Sequence, residues 1–266
     1  MEAAELVKLA RINVTPVKGL GLQHPDEVEL TERGVEANRR FYLIQGWVLY
    51  NGKDHGPLVR ITPEAENGSL TLRFPDGRDV GGEVELGEAV TTNFWGHPVR
   101  GRIVHGPWAE AISDYAGEQV QLVQTDEPGT GIDIHVGTLV ARASCERLGE
   151  ELGAHVDPRR FRMLFEIDGA AAHEEDTWDR VRIGEALVRM RGPVPRCAVT
   201  TQDPDSGIPT LDTLRGIKNY RGLRAGGKEI DFGVYFDVLE PGRVRVDDVI
   251  QIESSWPAYG VRSNQP

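Results

Sequence analysis

A chain of 266 residues is long enough for one large domain or two smaller ones with real hydrophobic cores. Its 42 acidic and 30 basic side chains give a formal charge of −12, which argues against nucleic acid as the main partner, although a local basic pocket is compatible with it. No apolar run reaches membrane-spanning length, residues 1–11 lack the form of a secretory signal, and two cysteines make no disulfide framework, so a reducing cytoplasm is the expected compartment.

In chain order, Val7, Leu9, Ile12 and Val14 alternate roughly with polar neighbours and predict a strand. Phe41-Tyr42-Leu43-Ile44 is a short apolar run suited to a buried strand, followed by a loop marked by Gly52, Gly56 and Pro57. Residues 69–74 alternate cleanly into the turn Pro75-Asp76-Gly77. Short strands with Gly/Pro turns up to about residue 105 predict a β-barrel or sandwich. Residues 107–116 read as a helix with Trp108, Ile112 and Tyr115 on one face and Gly117 as its stop. Residues 126–131 are turn-rich and mark a boundary. A second helix is predicted over 144–152, capped by Ser144 and ended by Gly153, with Cys145, Leu148 and Leu152 on one face. Strands return over 161–167, in a hairpin about Gly184-Glu185, and over 234–239 and 244–252 with a turn at Asp247-Asp248. The expected class is α+β and β-rich. Residues 1–125 would form an N-terminal barrel-like domain, 126–255 a second β-barrel domain with a few helices, and 256–266 an irregular tail.

Pro193-Val-Pro-Arg-Cys-Ala-Val-Thr-Thr-Gln-Asp-Pro-Asp-Ser-Gly207 carries the most chemistry. A cation beside Cys197 favours the thiolate, which is both nucleophile and soft metal ligand. Asp203 and Ser206 can bond nearby backbone, while Pro204 and Gly207 set turn geometry. An Arg-Cys pair alone more often marks an inert buried cysteine. Other constellations carry less. His173-Glu174-Glu175-Asp176 lacks a paired-histidine zinc spacing and reads as a solvated acidic loop. Gly129-x-Gly131 has no third glycine at Ile134, so the dinucleotide fingerprint fails. No Gly-x-Ser-x-Gly elbow is present, and two cysteines exclude a four-cysteine iron–sulfur cluster held by these residues.

Taken whole, Arg196-Cys197-x-x-Thr200-Thr201-x-Asp203-Pro204-x-x-Gly207 resembles the signature of the MOSC domain, in particular of the amidoxime-reducing components and their bacterial relatives. Pro16-Val17-Lys18-Gly19, residues 34–41 and 157–168, Thr177-Trp178, Phe232-Gly233-Val234-Tyr235 and Pro241-Gly242 resemble further family segments in the correct order. The resemblance implies a molybdenum–pterin cofactor, as molybdopterin or a nucleotide form, and not pyridoxal phosphate. Cys197 would be the metal ligand. Lys18, Gly19, Arg39, Arg162, Pro195, Arg196 and Tyr235 match cofactor-contacting positions, and His135 and Ser144 fall in the region of another cofactor loop. Asp203 and Tyr235 are candidate catalytic groups. Asn38 stands where the family often has aspartate, Met163-Leu164 replace Pro-Asn, and Val194-Pro195 replace Cys-Ser. The implied activity is reduction of N-hydroxylated or N-oxygenated small molecules with electrons from a separate redox protein, without nucleic acid or membrane. Two alternatives stay open: a sulfur or cofactor carrier using Cys197, and a relative of the fold without cofactor.

Overall fold

The computed structural model describes residues 6–224 and 227–256, so most of the expected tail, 257–266, lies outside the described residues. The run Phe41-Tyr42-Leu43-Ile44 forms strand Phe41–Gln45 and shows how the first half is built. Phe41 and Leu43 pack with Leu58, Trp108, Ile112 and Leu122; Tyr42 and Ile44 pack with Val90, Phe94, Val99 and Val123. A strand buried on both faces needs no polar alternation. It is one stave of a closed barrel whose other strands are Val48–Tyr50, Glu85–Phe94, His97–His105 and Gln121–Thr125. A three-stranded sheet, Thr62–Glu66, Ser69–Arg73 and Asp79–Glu83, packs beside it. The first helix, α1 (Trp108–Ala116), is tied to that sheet by the Trp108 indole, which donates to the Leu70 carbonyl at 3.0 Å, and it stops at Gly117 with φ 73°.

The second half is a seven-stranded sheet in the order Lys8–Ile12, Phe165–Asp168, Gly137–Ala141, Asp231–Glu240, Ala186–Pro195, Trp178–Ile183 and Ile250–Ser255. The chain's first strand therefore lies in the second half, with Leu9 opposite Ile167. Glu27–Leu30 likewise pairs with Gly242–Arg245. The parallel strands Gly137–Ala141 and Phe165–Asp168 are joined through α2 (Arg142–Leu152), and α3 (Thr213–Arg221) packs on α2. Cys145 and Cys197 are both free. Among the described residues no helix is long and apolar enough to cross a membrane.

Three local expectations are corrected. Ser144 does not cap α2, which begins at Arg142 after Ala141; its hydroxyl is buried and donates to the Glu175 carboxylate at 2.8 Å. Residues 161–167 are not one strand: a 3-10 turn spans Pro158–Phe161, Arg162 takes φ 51°, and the strand begins only at Phe165. Helix α3 was not expected. It is short and polar, it buries only Thr213, Gly216 and Ile217, and its start is fixed by Asp212, which accepts from the Arg215 amide at 3.1 Å.

The acidic run at 173–176 is not a solvated loop either. Glu175 is fully buried, accepting from Ser144 Oγ and from the Ala141 amide, while Asp176 pairs with Arg221 at 2.6 Å. Burial, reinforced by the neighbouring Asp176 charge, pushes the Glu175 carboxyl up to about 7. Its stabilising contribution is thus fully present below the ordinary value of 4.5 and lost as pH rises through about 7. Glu175→Gln should remove that dependence. Between pH 4.5 and 8 its stability relative to wild type should rise by up to roughly 3 kcal/mol, from about 1.4 kcal/mol per pKa unit. Urea unfolding of both proteins at each end of the range checks this; a constant difference would contradict it.

Candidate functional site

A cavity opens at the seam between the two halves. The first half supplies Lys18, Gly19, Arg39, Asn51, Gly52, Lys53 and Trp95; the second supplies Ile132, Asp133, Thr138, Arg160, Arg162, Met163, Pro195, Arg196, Cys197, Thr200 and Tyr235. Backbone approach holds the two sides together. Gln202 Nε2 donates to the Gly52 carbonyl at 2.7 Å, and a Cβ on Gly56 would lie 2.0 Å from the Gly207 carbonyl. Only glycine permits that contact.

Strand Ala186–Pro195 delivers Cys197 to this seam. The Arg196 amide donates to the Ile230 carbonyl at 2.7 Å, and the Cys197 carbonyl accepts from the Thr200 amide and hydroxyl, each at 3.1 Å. Thr200 in turn bonds Thr213 at 2.8 Å, so α3 braces the cysteine loop. The thiol itself is half-buried. Asp203 organises the following turn by accepting from the Ser206 amide and hydroxyl, both at 2.9 Å.

The cavity is cationic within an acidic protein. Among the described residues that line it are six lysine and arginine side chains and one carboxylate, Asp133. Lys18 is buried; its ammonium pairs with Asp133 and donates to the Gly131 carbonyl at 3.0 Å. Desolvation lowers it to about 8, against the pull of Asp133, with Arg39 and Arg162 pushing the same way as burial. Burial and the Arg39 charge lower Arg162 to about 9. Although burial opposes its ionisation, Lys18 and Arg39 hold Asp133 below the usual carboxylate range. Arg39 donates to the Arg162 carbonyl at 3.2 Å, and Arg162 to the Leu20 carbonyl at 2.5 Å. Arg196 turns inward to the Phe232 and Phe161 carbonyls at 2.7 and 3.1 Å and contacts Met163 Sδ.

Backbone strain gathers here. Six described non-glycine residues have positive φ, and Arg39 (55°), Trp95 (47°) and Arg162 (51°) all line the cavity. The other three are Asn67, His173 and Asp247, residue types that tolerate this conformation better. Strain of this kind persists where the surroundings over-determine it and is enriched at functional sites.

The structure brings Lys18, Gly19, Arg39, Arg162, Pro195, Arg196, Cys197 and Tyr235 together around one cavity. It does not bring Asp203, His135 or Ser144 to the cavity. His135 bonds Asp237 at 2.9 Å in a second groove, on whose border Tyr235 and Pro195 also lie, and its ring centroid is 5.3 Å from that of Tyr235. Ser144 is committed to Glu175. Sequence reasoning missed Lys53, Trp95, Asp133 and Arg160. Lys53, Trp95 and Asp133 reach the cavity from loops outside the segments that carry the resemblance. Arg160 sits in the turn just before Arg162, where nothing in the sequence told it apart from its arginine neighbours. Asn38 serves the scaffold, its Oδ1 accepting from the Thr15 amide at 3.1 Å beside Arg39.

Among the described residues no cluster of three or more His, Cys, Asp or Glu side chains could hold a metal. A metal here would take Cys197 from the protein and its remaining donors from a bound cofactor. Six cations against one carboxylate, beside a half-buried thiol, fit an anionic group carrying its own sulfur ligands.

Comparison with known proteins agrees in order along the chain. Residues 6–119 match the family model described as MOSC N-terminal beta barrel domain, and residues 131–251 match the MOSC domain model. The chain is similar to mitochondrial amidoxime reducing component 2 of Rattus norvegicus, 26% identical over 277 residues, covering 91% of this chain and 82% of the relative. It is also similar to mitochondrial amidoxime-reducing component 1 of Mus musculus, 29% identical over 206 residues, covering 73% of this chain and 59% of the relative. Among solved structures, the YUAD protein from Bacillus subtilis aligns over 92% of this chain and 93% of that one, at 10% identity and a TM-score of 0.45.

Two predictions follow from the geometry. Lys18 is charged below about pH 8 and neutral above it, so affinity for inorganic pyrophosphate should fall severalfold between pH 7 and pH 9.5. Calorimetric titration of Lys18→Met should show weaker binding and a smaller fall over this range, with only the contribution of Arg162 left. Gly56→Ala should separate the two sides of the seam, costing about 1–3 kcal/mol as an overpacking strain and depressing Tm. A thermal scan in which the variant melts with wild type would contradict the close approach.

Proposed function

The chain is a MOSC-domain protein with a MOSC N-terminal β-barrel domain, and from this we propose that it is a molybdenum-cofactor-dependent oxidoreductase of N-oxygenated small molecules. The observation that carries the reading is one cavity in which the desolvated cations Lys18 and Arg162 stand beside Arg39, with Cys197 on its wall. We propose a division near residue 125 into two domains with the cofactor held at their seam, strands Lys8–Ile12 and Glu27–Leu30 of the first crossing to pair with the second.

When bound, the molybdenum–pterin group supplies the two-electron chemistry that removes oxygen from nitrogen. Overall an N–O bond breaks, two electrons and two protons are taken up, and water leaves with the reduced nitrogen compound. This chain's residues do the holding and orienting. Cys197 supplies the protein sulfur, presented on a loop locked by Thr200. Lys18, Arg39 and Arg162 neutralise the cofactor's anionic end, with the Gly19 amide available as a donor. Arg196 fixes the loop's base through carbonyls more than it faces the ligand. Tyr235 stands on the wall with its hydroxyl pKa raised by burial and by Asp133, so it stays protonated at neutral pH.

Electrons would come from a separate redox protein, a reading supported by relatives that are named as components. We propose no role for nucleic acid or membrane, in keeping with the net charge of −12. A reducing cytoplasm suits the two free cysteines, whereas the vertebrate relatives are named mitochondrial.

Elemental analysis of protein from a host that makes molybdenum cofactor tests the reading. About one molybdenum per chain is expected, lost in Cys197→Ala together with reduction of N-hydroxy compounds. Metal-free protein from such a host would overturn it, and a persulfide mass on Cys197 would then favour a sulfur carrier.

A further inference from the structure

Trp95 is costly where it stands. The strands Glu85–Phe94 and His97–His105 pair Phe94 with His97, leaving Trp95-Gly96 as a two-residue hairpin loop. Both residues have positive φ, 47° and 99°, the arrangement for which Asn-Gly is preferred. Asn93 already secures the turn, its Oδ1 accepting from the Gly96 amide at 2.7 Å. The tryptophan adds little to the core: it is 55% exposed, while Phe94 beside it is buried. A bulky ring in a strained conformation, mostly in water, does not serve the fold.

It does stand at the cavity. Trp95 lines the cavity that holds Cys197, with Lys18 Nζ 5.2 Å and Lys53 Nζ 5.8 Å from its ring centroid. Two ammonium groups at these distances restrain the ring by cation–π attraction. A pre-oriented aromatic surface at a cavity mouth gives flat conjugated molecules stacking that an aliphatic molecule cannot match.

We propose that Trp95 is a stacking platform that makes this cavity select N-hydroxylated compounds borne on a flat conjugated ring, such as an aryl amidoxime or an N-hydroxylated base, over aliphatic ones. The substrate class rests on the function proposed above; the platform itself rests on the position of Trp95.

The test compares wild type with Trp95→Asn and Trp95→Phe as holoprotein, using benzamidoxime and acetamidoxime. In Trp95→Asn the ratio of KM for benzamidoxime to KM for acetamidoxime should rise about tenfold, the size of one lost stacked ring, with the change in KM more than in kcat. Trp95→Phe should restore most of the selectivity. Molybdenum and pterin content should match wild type, and Tm should rise by about 2 °C as strain is relieved. Equal changes for the two amidoximes, or a fall in Tm, would overturn the proposal. A loss of pterin would also overturn it by placing the cofactor, not substrate, on the ring. If wild type reduces neither compound, the proposed function fails while the platform stays testable. Benzamidoxime should still quench tryptophan fluorescence in wild type and not in Trp95→Asn; equal quenching would sink the platform.

Discussion

Lys18 and Arg162 have been withdrawn from water beside the half-buried Arg39, and Asp133 is the sole carboxylate among the described residues lining their cavity. Desolvated charge is expensive, and like charges brought together make it more so. The protein tolerates the arrangement by spreading donors over the carbonyls of Gly131, Arg162 and Leu20. Those contacts satisfy hydrogen bonds without neutralising charge. The excess of positive charge is what suits the cavity to an anionic ligand, and Cys197 stands on the same wall.

The architecture around the cavity serves to keep it closed at the seam. The first strand, Lys8–Ile12, leaves the barrel half and pairs in the second sheet, so the halves are laced together by the chain's own beginning. The Gly56–Gly207 approach and the Gln202–Gly52 hydrogen bond bring the loop carrying Lys53 near the loop carrying Cys197. Arg39, Arg162 and Trp95 all pay in backbone conformation for pointing into this space. Satisfied polar groups elsewhere, such as Ser144 on Glu175, belong to the scaffold, however suggestive their place in the sequence.

Much of the fold was legible because it rests on local signals. The helix at Trp108–Ala116, its glycine stop, the hairpin about Gly184 and the turn at Asp247-Asp248 all follow from periodicity and turn chemistry. Residues 161–167 were misread because an apolar run cannot reveal that Arg162 is held in a left-handed conformation by contacts far away. Helix α3 was missed because Gly216 packs against Leu148 and Leu152, so its buried face hardly registers as hydrophobic. Glu175 looked solvated because its partners, Ser144 and the Ala141 amide, lie about thirty residues earlier.

By itself the sequence determined the strand-rich class, the family resemblance and the cysteine around which the site is built, since these reside in short contiguous patterns and in residue chemistry. It also singled out Lys18, Arg39, Arg162 and Tyr235, though only as matches to family positions. Only the tertiary structure decided that these residues share a cavity with Lys53, Trp95, Asp133 and Arg160, and that His135, Ser144 and Asp203 do not. The reason is physical: burial, charge pairing and desolvation depend on what the chain brings near a group from the other half, and no local pattern records that distance.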